Sequence, residues 1–125
     1  MSSEEPATRL EIQPVGHGEC TVLHVRGEFN QNTAPAMRLR DEIVSLNIDG
    51  PPCLVLDLEG ITAWDEEGVG AVIATLKRVM VAGGRLVVAA TPADLMERFR
   101  WQRLDQRLEL RETVEQAVNE FRAPR

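Results

Sequence analysis

The run from Leu54 to Ala90 constrains this chain more than any other, because it reads as strand, acidic turn, helix, glycine pair and strand. Leu54-Val55-Leu56-Asp57-Leu58 is a short apolar run of the kind a buried strand presents. After the hinge Ile61-Thr62-Ala63-Trp64-Asp65-Glu66-Glu67-Gly68-Val69-Gly70, the residues Val69, Val72, Ile73, Leu76, Val79 and Met80 fall at helical spacing on one stripe. Gly83-Gly84 ends that helix, since glycine tolerates the left-handed backbone of a C-terminal cap. Arg85-Leu86-Val87-Val88-Ala89-Ala90 is a second apolar strand. Two buried strands joined by a helix form a right-handed crossover and a parallel pair. The turn before the helix then lies at the carboxyl end of a parallel strand, where α/β proteins place ligands and switches.

The remainder of the chain must complete one domain, for 125 residues make a single core. Aromatics are only 4% of the residues, so that core is built of Leu, Val, Ile and Ala. A net charge of −6 argues against nucleic acid or an anionic membrane as a general partner and leaves a basic protein partner open. No apolar run is long enough for a transmembrane span, and Met1 to Thr8 lacks the features of a signal peptide, so a cytoplasmic protein is expected. Cys20 and Cys53 both open predicted strands and read as small buried hydrophobes rather than a disulfide. With two cysteines and two histidines in no ligand spacing, no metal site and no cofactor is expected.

In chain order, residues 1–8 are expected as a tail, 9–121 as the domain and 122–125 as a second tail. Arg9 to Gln13 alternates as a half-exposed strand, and Pro14 to Glu19 reads as a hairpin turn. Cys20 to Arg26 returns with Thr21, Leu23 and Val25 on one face and His24, without an identifiable partner, on the other. A helix follows over about 33–46, capped by Asn32 or Thr33, with Pro35 in its first turn and Ala36, Leu39, Ile43 and Leu46 as its stripe. Thr91 is expected to cap a third helix carrying Leu95, Met96, Phe99 and Trp101, the last as core or rim. Leu104 to Arg107 is a turn, 108–110 a brief strand, and Thr113 caps a closing helix with Val114, Ala117, Val118 and Phe121 on one face. The fold class is therefore α/β: a mixed parallel and antiparallel sheet of about four or five strands, packed with about four helices.

The assembled motifs resemble STAS domains, and among them the bacterial anti-sigma factor antagonists. Gly27-Glu28-Phe29-Asn30 stands for the family's G-E-L-D, followed by Thr33-Ala34-Pro35; Leu56-Asp57-Leu58 for its L-D-L; Asp65 to Gly70 for its D-S-S-G-L-G; Gly83-Gly84-Arg85-Leu86 for its G-G-x-L; and Leu104-Asp105 for the end of its G-L-D. The resemblance covers about residues 9 to 121, and the order and spacing of the motifs carry it. It implies a STAS-like domain that docks on an anti-sigma factor, itself a serine kinase of the histidine-kinase-like ATPase fold. In the family the first serine of D-S-S-G takes a phosphoryl group from that partner, and phosphorylation releases the complex. A hydroxyl at a helix N-terminus suits that role, because free N–H groups there stabilise the phosphate. Here Glu66 and Glu67 stand at the two serine positions and carry no hydroxyl. Asn30 replaces the acidic residue of G-E-L-D, and Arg103 the glycine before Leu104.

Several readings of Asp65, Glu66 and Glu67 follow. They form a favourable acidic first turn, with Asp65 as the cap. Glu66 is a fixed mimic of phosphoserine, or a tolerated glutamate facing an adapted basic partner. A divalent-metal or catalytic carboxylate site is disfavoured, since neighbouring carboxylates on a helix diverge. Trp64 is either a partner anchor or a staple under the helix start. The expectation is a non-enzymatic interaction module with no catalytic residues. Glu66 and Glu67 occupy the phosphoacceptor positions, and Asn30, Thr33, Trp64, Asp65, Glu66, Glu67, Gly68 and Val69 form the partner surface. Alternatives are a STAS scaffold of a signalling complex or a soluble subunit of a transporter. A small nucleotide-binding protein or enzyme is a further one, although Gly68-Val69-Gly70 alone is too weak a phosphate-loop signal.

Overall fold

The computed structural model describes residues 10–122. The strands are β1 (Leu10–His17), β2 (Cys20–Phe29), β3 (Cys53–Trp64), β4 (Arg85–Ala89) and β5 (Glu109–Arg111). The helices are α1 (Pro35–Leu46), α2 (Glu66–Val81), α3 (Ala93–Trp101) and α4 (Val114–Arg122). One five-stranded sheet runs in the order β1-β2-β3-β4-β5, with β1 antiparallel to β2 and every later neighbour parallel. The expected single α/β domain with a mixed sheet is what forms. The expected outer tails, together with Arg9, lie outside the described residues except for Arg122, which closes α4.

Both faces of the sheet are covered, which explains why the central strands read as continuous apolar runs rather than alternating ones. Side chains alternate along a strand. Leu54, Leu56 and Leu58 of β3 therefore point into a main core beneath α1, α2 and α3, together with Leu23, Val25, Leu86 and Val88. Val55 points the other way into a second core with Cys20, Val22, Val87 and Ala89, closed by Ala117 and Val118 of α4. Phe29 and Phe99 are fully buried in the main core. Cys20 and Cys53 are free thiols on the α4 side, and burial, then the neighbouring Cys53, pushes the Cys20 thiol up.

The end of α2 follows the expected chemistry. Gly83 has φ 76, its N–H donates to the Met80 carbonyl and the Gly84 N–H to that of Val79, the paired bonds of a Schellman stop. Thr113 caps α4 as expected, accepting from the Gln116 N–H at 3.0 Å, while the Gln116 side chain accepts from Glu112 and Thr113.

Other expectations are corrected. β1 runs through Pro14 to His17, so the hairpin turn is confined to Gly18-Glu19. Pro14 is tolerated because β1 is an edge strand. β2 continues to Phe29 and β3 to Trp64, both longer than their apolar runs, through register irregularities near Arg26 and Gly27. Neither Asn32 nor Thr33 caps α1; its cap is Ala34, in the left-handed conformation, and Thr33 bonds into the preceding loop instead. Pro35 does occupy the first turn, and Ala36 is exposed. Thr91 does not cap α3, whose cap is Pro92, and the Thr91 hydroxyl is buried without a hydrogen-bond partner among the described residues. Leu104–Gln106 is a 3-10 turn. Just before it, Arg103 sits at φ 61 where the family pattern has glycine, so the left-handed backbone survives without the residue that favours it.

Candidate functional site

β3 delivers Trp64 and then Asp65 in extended conformation, and the chain turns at once into α2. One Asp65 oxygen accepts from the N–H of Glu67 at 2.9 Å and of Gly68 at 3.4 Å, which satisfies donors that the first helical turn leaves free. The other oxygen accepts from the Gln31 N–H at 3.1 Å. A single carboxylate therefore starts α2 and fastens the β2–α1 loop to it. Gly68 makes the same junction possible from inside, for a Cβ there would lie 2.3 Å from the Phe29 carbonyl oxygen. Two residues on, a Cβ on Gly70 would meet nothing within 4 Å.

The loop joined to α2 is internally tied. The Asn30 side-chain oxygen accepts from the Asn32 N–H at 3.0 Å, an Asx turn, and its amide donates to Glu28 at 3.4 Å. The Thr33 hydroxyl donates to the Glu28 carbonyl at 2.8 Å and accepts from the Asn30 N–H at 3.3 Å. Asn30 and Thr33 thus hold the shape of a loop that borders the α2 start, which brings the two predicted contact segments together.

Glu66 and Glu67 are exposed in the first turn of α2, where the helix dipole favours their charge. Glu66 accepts a hydrogen bond from the guanidinium of Arg98 on α3. Arg98 in turn lies over the Trp101 ring, 5.1 Å from its centroid, a cation–π contact. Trp101 is 75% exposed, which corrects its placement in the core or rim: its ring serves Arg98 on the outside of α3. Trp64 is half-buried and packs against the main core, and it also borders a hollow shared with Arg98, Arg100 and Trp101.

Two candidate contact residues change role. Val69 is buried in the main core and Gly68 is buried against Phe29, so neither presents a side chain to a partner; they set the height of the turn. Arg98 and Trp101 are the additions. Sequence spacing gives no sign of the Glu66–Arg98 contact, because the two residues lie on different helices and meet only through the fold. His24 also has the partner that its sequence neighbourhood hides. Its Nδ1 lies 2.6 Å from Oδ2 of Asp57 on the adjacent strand, and Asp57 Oδ1 accepts from the Glu59 N–H at 3.0 Å. The pair supports a buried carboxylate in β3 and lies away from the α2 turn.

Chemically, the turn presents fixed negative charge. Asp65 is engaged by three backbone N–H groups and Glu66 by Arg98, while Glu67 is exposed and its side chain has no partner among the described residues. No group of three or more His, Cys, Asp or Glu among the described residues is placed to hold a metal ion. No described helix is long and apolar enough to cross a membrane.

The mixed sheet, the three crossover helices on one face, the closing helix on the other and the capped acidic turn define a small α/β domain with its exposed feature at a helix start. The chain belongs to the STAS domain family, whose profile matches residues 11–117. Similar solved structures include an anti-sigma factor antagonist of Mycobacterium paratuberculosis, at 24% identity over 91% of this chain and 95% of that one, with a TM-score of 0.75. A Thermotoga maritima protein described as an anti-sigma factor antagonist has 18% identity over 90% and 95%, with a TM-score of 0.77. The anti-sigma factor antagonist SpoIIAA in its unphosphorylated form has 18% identity over 90% and 96%, with a TM-score of 0.70. At these identities the likeness is one of fold. No curated protein sequence matches the chain.

Proposed function

We propose that this STAS domain is a non-enzymatic, cytoplasmic interaction module of the anti-sigma factor antagonist kind. Its partner is an anti-sigma factor that is also a serine kinase of the histidine-kinase-like ATPase fold. It docks through the turn from Trp64 to Glu67, the exposed face of α2 and the Asn30–Thr33 loop. The carrying observation is the Asp65 carboxylate, which caps α2 and bonds the loop, so that both contact segments form one preorganised surface. Glu66 gives that surface a permanent charge where the family pattern has a phosphorylated serine. A glutamate carries one negative charge and phosphoserine about 1.5 to 2, so the mimicry is partial. Arg98 already faces Glu66, which suits a turn adapted to charge rather than to a hydroxyl.

The test uses the full chain, its kinase partner and ATP. Intact mass of the wild type stays unchanged, whereas Glu66→Ser gains one phosphoryl group. By calorimetry, unphosphorylated Glu66→Ser binds the partner about tenfold more tightly than wild type, which corresponds to about 1.4 kcal/mol. Equal affinities would remove the phosphate mimicry. A phosphoryl group on the wild type would show that switching has moved to another residue.

A further inference from the structure

A second concave surface lies between α1 and α2, with a volume of about 940 Å³, and Glu66 is not part of it. Its walls are apolar and poorly covered. Val44 of α1 is 64% exposed and Val81 of α2 is 89% exposed, and Met37 and Ile48 extend the apolar strip along the α1 side. Hydrophobic side chains left together in a hollow mark a contact surface more than scattered ones do. The charged residues of the hollow are all cationic: Arg40 on the α1 wall, Lys77 and Arg78 on the α2 wall. That is a local reversal in a chain of net charge −6. Among the described residues Lys77 and Arg78 form no ion pair, and Arg40 pairs with its exposed neighbour Asp41.

We propose that the α1–α2 groove is a second docking surface that receives an acidic amphipathic helix of a partner protein. Apolar side chains at helical spacing would fill the strip between Val44 and Val81, and carboxylates on both flanks would meet the cations on both walls. Charge on two walls favours this occupant over an amphiphile with one headgroup, which calls for cations gathered at one end. It also disfavours a second copy of the chain, because a two-fold contact of groove on groove sets the same cations against each other. α1 is 12 residues, about 18 Å long, enough to support about three turns of a guest helix. On α2 the groove uses only the C-terminal half, from Ala74 onward, so it lies at the opposite end of that helix from the Glu66 turn.

The test is selection from a displayed library of amphipathic helices with randomised flanks, against the full wild-type chain. The helices that enrich carry Asp and Glu on both flanks, and their binding weakens with salt. They protect α1 and the C-terminal half of α2 from hydrogen exchange. The charge-reversed double variant Arg40→Glu/Lys77→Glu loses at least tenfold in affinity for them, with an unchanged melting temperature, while Glu66→Ser binds them as wild type does. Enrichment of neutral or basic helices overturns the proposal, as does protection of the α2 N-terminus instead, or no enrichment at all. Displacement of the selected helix by dodecanoate at low concentration assigns the groove to an amphiphile, and dimerisation through these residues in sedimentation assigns it to a second copy; either result also overturns it.

Discussion

Gly68 and Gly70 stand two residues apart at the start of α2 and meet opposite surroundings. A Cβ on Gly68 would come within 2.3 Å of the Phe29 carbonyl oxygen and 2.8 Å of the Phe29 ring, and backbone cannot swing aside as a flexible side chain can. Gly68→Ala therefore forces α2 away from the end of β2. The overpacking cost of about 1–3 kcal/mol exceeds the gain in helix propensity of about 1 kcal/mol or less. Gly70→Ala meets open space and keeps only the propensity gain, so it stabilises by about 0.5–1 kcal/mol. Urea unfolding of the two variants should shift the midpoint in opposite directions; equal shifts would show that α2 does not approach β2 this closely. The same stretch shows what a sequence discloses at this scale. The Asp65 cap was legible because its donors are two and three residues away. The bond from Asp65 to Gln31, the partner of His24 and the clamp of Arg98 on Glu66 span about thirty residues each, and no local rule reaches them.

Elements are joined at the far edge of the sheet by charge as well as packing. Arg85 of β4 pairs with Glu109 of β5 at 2.7 Å and with Glu120 of α4 at 3.0 Å, and Arg111 of β5 also donates to Glu120, at 2.9 Å from its Nη2. The hydrogen bond from Arg111 is the chief reason the Glu120 carboxyl is held below the usual glutamate range. A carboxyl whose pKa is lower folded than unfolded binds more protons in the unfolded chain. Its stabilisation is complete above the unfolded value of about 4.3 and disappears as pH falls through the folded value. The side chain is partly exposed, so the effect is about 1 kcal/mol or less. Glu120→Gln should melt below wild type at pH 7 and converge with it in acid, in thermal scans from neutral pH to about pH 3; a constant gap across that range would place the effect in packing instead. Such pairings also explain why element ends were read less well than element order. The apolar pattern reports burial, and β3 passes Leu58 through Glu59, Gly60 and Thr62 because its hydrogen bonds to β2 continue where its burial weakens. Thr33 and Thr91 had the chemistry of helix caps, but the loops around them use or bury those hydroxyls elsewhere.

Across the whole molecule the two faces of the sheet are unequally secured. The main face is closed by three helices whose ends are all bound into crossovers, and β3 lies at its centre with Leu54, Leu56 and Leu58 fully buried. The other face depends on α4 alone, held by Ala117 and Val118 with Val114 and Phe121 at its margin. The helical stripes of α1 and α2 made the first core legible; the second was hidden because the same continuous strand runs serve both faces and only α4's stripe hints at a second layer. Segments with few buried apolar contacts open at lower free energy than the central strands. Native-state hydrogen exchange should therefore find the α4 amides opening well before those of β3, and Val118→Ala should lower protection in α4 while leaving that of α2 little changed. This division has a functional consequence. The Asp65 junction and the α1–α2 groove both lie on the helices of the main face, so loosening of α4 should not disturb either surface. Exchange of α4 and β3 in a single cooperative step would instead show the two layers to be one unit, and would couple partner binding on one face to the closing helix on the other.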